Sequence, residues 1–371
     1  MKLKLTSRLF SNSFPYYLIS LFVCVIAIVS RLNFNGLVYD FDYGIFQPDG
    51  FYYSYQTLTY MGMEHFSAAT EVNNWYTLNS AKPWGGGPVE TLPEFSPLWG
   101  LVAPRILYPL LSVPFVALFG LTGMFAIPII SLVILVLTIQ YLSIKYLIPF
   151  IGFVINFLIL SSPTVLRWMI SNITDSLLCG LFALVAILIW KINQENTKKR
   201  SVSLVVLIAL TGLTRFSLPI WVAIGLVFFI NRNRRAALLT FLSSILIAIP
   251  TLFMGPDIAF LPEIGDSSLL SKIFALPVKL ITIPSIELLQ LGALDRVLLA
   301  LVLLSLFISI KEFRRPISQF YIAVLVAVLG IGVLNGTLGV NFRYQLPLIP
   351  FSAWVIINWA GNFRVSRSAN V

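Results

Sequence analysis

Carboxylates gather at one place in this sequence. Asp40, Asp42 and Asp49 follow the first long apolar run, and Asp49 stands in Gln47-Pro48-Asp49-Gly50-Phe51-Tyr52-Tyr53, at the start of a long polar stretch. Clustered beside apolar helices, such groups have the make-up of a catalytic mouth. Further charges stand at the ends of later apolar runs. They are Glu94 and Arg105, Arg167 and Asp175 either side of Ser171-Asn172-Ile173-Thr174, Arg215 in Leu213-Thr214-Arg215-Phe216, and Arg343 in Asn341-Phe342-Arg343-Tyr344-Gln345. An ionisable side chain drawn to a bilayer centre costs about 2.5–3.5 kcal/mol, so groups in these places have a partner or a task.

Each also has a plainer reading. An arginine at the end of a span can be a snorkelling anchor, Arg167 and Arg296 foremost. Arg215 and Arg343 fit that reading less well, because basic residues on an outer face run against topological bias. Asp175, just after Asn172, suits a helix start through the dipole. The Asp40-Phe41-Asp42 pattern is short enough to arise by chance or to form a turn. His65, the one histidine, stands in polar surroundings that favour a solvated surface. Trp75, Trp84 and Trp99 fit an interfacial belt or the aromatic wall of a sugar site. Cys24 and Cys179 each fall within an apolar run, which argues against a disulfide framework or a metal site.

The elements that must position these residues are membrane helices. Hydrophobic residues make up 58% of the chain and charged ones 11%, with mean hydropathy +0.90. Continuous apolar runs close to the length of a membrane crossing predict helices rather than a barrel. We expect an all-α, polytopic membrane helical bundle of about ten transmembrane helices, at 16–34, 123–143, 147–162, 173–190, 201–214, 216–231, 236–254, 295–310, 319–338 and 344–361. Residues 1–371 form a single integral membrane domain, with extracytoplasmic loops at 35–122, which carries interfacial helices, and 255–294. The segment 104–120, broken by Pro104, Pro109 and Pro114, reads as an interfacial segment, and 272–291 is treated alike.

The net charge of +10 follows this topology. With a cytoplasmic N-terminus holding Lys2, Lys4 and Arg8, the connections carrying Lys145, Lys191 to Arg200, Arg232 to Arg235 and Lys311 to Arg315 all face inward, as does the C-terminal tail. Only Glu195 and Glu312 accompany them as acids. That is the positive-inside pattern, and it leaves no basic patch for nucleic acid. The first span lacks a small-residue cleavage pattern and reads as an uncleaved anchor. Both termini are then cytoplasmic.

The order of these features resembles the GT-C superfamily of polyprenyl-phosphate-dependent membrane glycosyltransferases, which includes protein O-mannosyltransferases and the aminoarabinose transferases of lipid A. Asp49 with Tyr52, Tyr53 and Gly62 is similar to that superfamily's first-loop acidic motif. Pro104-Arg105-Ile106-Leu107-Tyr108-Pro109-Leu110-Leu111, ending in Leu118-Phe119-Gly120, resembles its juxtamembrane helix. Thr174-Asp175, Leu213-Thr214-Arg215 and Arg343-Tyr344-Gln345-Leu346-Pro347-Leu348 are similar to recurrent elements, and the likeness covers most of residues 1–361. The chain departs from the pattern in having no large soluble domain and in placing Gly50, not a second acid, after Asp49. Asp42 and Asp49 therefore both stand as counterparts of the first acid, with Asp49 favoured for its Tyr-Tyr context.

The resemblance implies a polyprenyl-phosphate-linked sugar donor held at the bilayer and an unknown glycan, lipid or protein acceptor entering from outside. It implies Asp49 as general base and Arg215, Arg343 and Arg105 on the leaving phosphate, with Tyr52, Tyr53 and Tyr344 beside the substrate. Asp175 would orient the acceptor, tune an arginine, or join Asp49 in holding a divalent cation such as Mg2+ or Mn2+. By analogy the protein belongs in a plasma or inner membrane. A polysaccharide polymerase or ligase and a lipid or solute transporter share several of these features. A transporter would more often place its charges near mid-span.

Overall fold

The computed structural model describes residues 2–33, 47–79, 91–96, 99–215, 217–253, 293–334 and 345–368. They form fifteen helices and, among the described residues, no strand. In chain order these are α1 (Lys2–Asn33), α2 (Pro48–Tyr60), α3 (His65–Asn79), α4 (Trp99–Val102), α5 (Leu107–Phe119), α6 (Ala126–Lys145), α7 (Pro149–Ser161) and α8 (Pro163–Ile170). There follow α9 (Thr174–Gln194), α10 (Lys198–Thr214), α11 (Leu218–Ile230), α12 (Arg234–Phe253), α13 (Ala293–Lys311), α14 (Pro316–Leu334) and α15 (Ile349–Ser368). Short 3-10 turns occupy 93–95, 120–125 and 346–348.

The helix boundaries have local causes. Pro48, Pro149 and Pro163 open their helices at a position where no backbone donor is missed. Ser162 caps α8 by accepting from the Val165 N–H at 3.1 Å, and Thr197 caps α10 through Arg200 N–H at 3.4 Å. Gly120, with φ of +62°, ends α5 in the left-handed region. The next turn folds back so closely that a methyl on Gly123 would meet the Phe115 carbonyl at 2.3 Å.

Each of the ten expected spans falls largely on one helix, yet length and hydropathy together single out fewer. Three stretches are long and apolar enough to cross a membrane: Phe14–Arg31, Leu107–Lys145 and Thr174–Gln194, with mean hydropathy 1.8, 2.5 and 2.0. A fourth arises if α7 and α8, bent by 81°, count as one broken span, and α11 and Pro316–Ile331 are apolar but shorter. These helices mark a membrane protein. The count of ten is not reached by this measure among the described residues.

Two boundaries differ from expectation. The span placed at 147–162 stops at Ser161, and what reads as a connection is the separate helix α8. Of the segment at 104–120, expected in the interface, the part from Leu107 onward continues with the following span as one apolar stretch of 39 residues, Leu107–Lys145, interrupted at Gly120. Pro114 lies inside α5, which tolerates it. The segment 272–291 and nearly all of the loop 255–294 lie outside the described residues.

α9 runs through the interior. It packs on α6, α10 and α15, and 78% of its apolar window is buried, against 17% for α1. The α1 window is apolar with Phe14, Leu18, Phe22, Val25 and Val29 exposed, as befits a helix facing hydrocarbon. At one end of α9, α2 and α3 pack together and α2 leans on α5. The charged residues collect there.

Candidate functional site

α2 begins with Gln47 as its cap and Pro48 in the first turn, so Asp49 sits where the helix dipole favours a carboxylate. Its side chain is 26% exposed and lies 3.9 Å from Arg105, itself 17% exposed. The Arg105 guanidinium also donates to the Tyr53 hydroxyl at 2.9 Å. One helical turn separates Asp49 from Tyr53, which explains how both meet one arginine. Tyr53 is buried, edge-on to Tyr108 at 5.4 Å, and its hydroxyl lies 3.4 Å from Thr174 Oγ1.

Thr174 opens α9, and the next residue, Asp175, forms an ion pair with Arg215 at the end of α10. Asp175 is 2% exposed and Arg215 11%. Thus Asp49, Arg105, Tyr53 and Thr174 form a continuous line that reaches the residue next to a buried acid–base pair. α2, the turn before α5, α9 and α10 supply them. Asp175 stands at a helix start, as its plainer reading has it, and holds an arginine as well.

Asn172 fastens the two halves. Its Oδ1 accepts the Gln47 N–H at 3.2 Å, and its Nδ2 donates to the Tyr76 hydroxyl at 2.6 Å. Tyr76 in turn donates to the Gln47 carbonyl at 3.1 Å. Gly50 leaves room for this carboxamide, since a methyl there would lie 2.3 Å from Asn172 Oδ1. Burial pushes the Tyr76 hydroxyl well above the usual tyrosine range, with the charge of Asp49 adding to it, so it stays protonated as a donor.

Beside this line runs an aromatic flank. Tyr52 bonds Ser96 Oγ at 2.8 Å and faces Trp99 at 6.5 Å. Tyr55 meets Trp99 edge-on at 5.7 Å and donates a short hydrogen bond to Glu94. His65, expected to be solvated, has a side chain 60% exposed, yet its Nδ1 lies 2.6 Å from the Tyr55 hydroxyl and 2.8 Å from Glu94. Burial, then Glu94, raises the Tyr55 hydroxyl out of its usual range.

Other expected residues stand elsewhere. Asp40, Asp42, Arg343 and Tyr344 lie outside the described residues. Arg167, expected as a snorkelling anchor, is 9% exposed with its guanidinium 5.0 Å from the Trp168 ring, because α8 turns inward after the bend. Arg296 is exposed. Asn172 as a fastener, Tyr76 and Asp295 are not among the residues expected from the sequence. Asp295 is 1% exposed and binds Ser162 Oγ at 2.5 Å, Thr164 N–H at 3.3 Å and Thr164 Oγ1 at 2.7 Å, holding the start of α8. Ser162-Pro163 is a helix-start signal that would have found α8.

Chemically, the line offers a partly exposed carboxylate beside a guanidinium whose fork of donors suits phosphate oxygens. Asp175 is closed in by Arg215 and suits a holding role. Among the described residues no group of three or more His, Cys, Asp or Glu side chains is gathered as a metal would require. Asp49 and Asp175 each lie beside an arginine, Arg105 and Arg215 respectively. No family model matches the chain, and neither a curated protein nor a solved structure does.

Proposed function

We propose that the chain is an integral membrane glycosyltransferase that moves a sugar from a polyprenyl-phosphate donor to an acceptor hydroxyl at the outer face. The bundle would have its ten spans, and both termini would be cytoplasmic. The observation that supports this reading is the line Asp49–Arg105–Tyr53–Thr174 beside the Asp175–Arg215 pair, in which a partly exposed carboxylate and two guanidinium groups stand at the same end of the helices.

In the reaction the acceptor oxygen attacks the anomeric carbon while its proton passes to the Asp49 carboxylate. The bond from the anomeric carbon to the phosphate oxygen breaks, and its electron pair leaves with the polyprenyl phosphate. Arg105 is set to stabilise charge on that leaving group, since it lies within reach of Asp49 and is held in place by Tyr53. Arg215, ion-paired and largely buried, supports the site through Asp175 and α9. Tyr52 with Trp99 supplies a ring surface on which a sugar's apolar face can pack.

The test is transfer from labelled polyprenyl-phosphate sugars by purified protein in lipid, over a crude acceptor extract, with Asp49→Asn alongside. Transfer by wild type and its loss of about 100-fold or more in Asp49→Asn is the expected result. Transfer that survives moves the base to Asp42. Folded wild type that consumes no donor overturns the reading and turns attention to transport.

A further inference from the structure

Lys145 and Lys191 bring two ammonium groups to one aromatic ring. Lys145 ends α6 and Lys191 lies in the last turn of α9, and their Nζ atoms stand 5.3 and 6.0 Å from the centroid of Tyr141. Trp190 meets the same ring edge-on at 6.2 Å. α9 begins at the Asp175–Arg215 pair and runs away from it, so this cluster lies at the opposite end of the helices from the candidate site.

Charge is left unbalanced here. The acids at this end are engaged: Glu195 lies 3.7 Å from Arg200, and Glu312 lies 3.1 Å from Arg315. Arg200 also donates to the Lys191 carbonyl at 2.7 Å, which adds a third cation beside the pair. Among the described residues no carboxylate lies within ion-pair distance of Lys145 or Lys191. A ring face attracts the two cations beside it without neutralising them.

The apolar surface leading to this point narrows the class of anion that fits here. α9 is buried on nearly every side, but at helical spacing Leu184 is exposed and Ile187 only partly covered, and this strip ends at Lys191. On the adjoining α6, Ile134 and Leu137 are likewise only partly covered and lead to Tyr141 and Lys145. Two apolar seams on packed helices thus converge on two lysines and an aromatic ledge. We infer that this is a binding site for an anionic phospholipid, its phosphate between Lys145 and Lys191 and an acyl chain along the seam below. Basic pockets at a helix end bind lipid headgroups in this way, and lysine acts there as a point charge on phosphate.

Native mass spectrometry of the full chain in detergent, titrated with dioleoyl phosphatidylglycerol or dioleoyl phosphatidylcholine, tests the site. Wild type is expected to retain the anionic lipid about tenfold better. That preference should vanish in K145Q/K191Q, persist in K145R/K191R, and persist in K198Q/K199Q, which removes equal charge from the start of α10. Inorganic phosphate in excess should not displace the lipid. Equal retention of both lipids by wild type overturns the proposal, as does a preference unchanged in K145Q/K191Q. Equal loss in K198Q/K199Q, or displacement by inorganic phosphate, also overturns it by showing a diffuse rim or a simple anion site. Should the double variant not fold, K145Q alone, at an exposed position, must lower the preference several-fold. None of these readouts depends on sugar transfer.

Discussion

Gly50 lies directly against the side chain of Asn172, so that a methyl built on it would come within 2.3 Å of Oδ1 and 2.4 Å of Cγ. Asn172 has no room to yield, being buried and bonded at both ends, to Gln47 and to Tyr76. Helix propensity alone favours alanine at a helical position by about 1 kcal/mol. Here the overlap wins, and Gly50→Ala should lose about 1–3 kcal/mol of stability in a denaturant titration. Under the proposed function its transfer activity should fall as well, because Asp49 is the neighbouring residue. In G50A/N172A the overlap is gone, so the two losses should combine to less than their sum. Additive losses would show that Gly50 and Asn172 do not act on each other.

Asp175 and Arg215 make a pair with almost no solvent on either side, 2% and 11% exposed. Removing one partner of such a pair leaves the other charge uncompensated and costs about 3–5 kcal/mol. Asp175→Asn should therefore destabilise strongly, and Arg215→Met likewise. The apolar double variant D175L/R215M should recover much of the stability and, under the proposed function, still lack transfer. Recovery of transfer in that variant would mean the pair serves only packing.

How far the sequence foretold this arrangement can be judged from these same residues. Apolar runs make the helical class plain, Asp49 is legible as an acid opening a polar stretch, and Arg105, Asp175 and Arg215 as charges at the ends of apolar runs. Their partners were not. Asp175 meets Arg215 across forty residues, and Arg105 reaches Tyr53 across 52, separations at which periodicity carries no information. Asp295 carries no sequence signal of its role, because its oxygens hold the start of α8, more than a hundred residues earlier in the chain. The inward turn of Arg167 was hidden because the bend after α7 depends on that packing.

Acid should loosen the start of α3. Glu64 accepts the N–H groups of Phe66 at 3.1 Å and Ser67 at 2.9 Å, and these bonds hold its carboxyl below the usual glutamate value. For a lowered pKa the contribution is complete above the unfolded value, about 4.3, and is lost as pH falls through the lower folded value. Glu64 is exposed, so the effect is local. Amide-exchange protection at Phe66 and Ser67 should drop across that acid range in wild type. Glu64→Gln should flatten the response, and an unchanged profile would show that another group titrates.

Asp295 offers the sharpest separation of scaffold from chemistry. It accepts hydrogen bonds from Ser162 and Thr164 at the 81° bend between α7 and α8, and the line through Asp49 does not include it. Asp295→Ala strands three donors in a buried place, and a charged acceptor of this kind is worth about 1.5–3 kcal/mol per bond. The start of α8 should fray, and because α8 leads directly to Asn172, the two halves of the site should loosen together. Asp295→Asn keeps the shape and one acceptor oxygen, so it should retain most of the stability. Measured side by side, Asp295→Ala should lose stability and, under the proposed function, donor affinity, while the turnover assigned there to Asp49 persists for bound donor. A loss of turnover in folded Asp295→Asn, with donor affinity intact, would instead give Asp295 a part in the reaction.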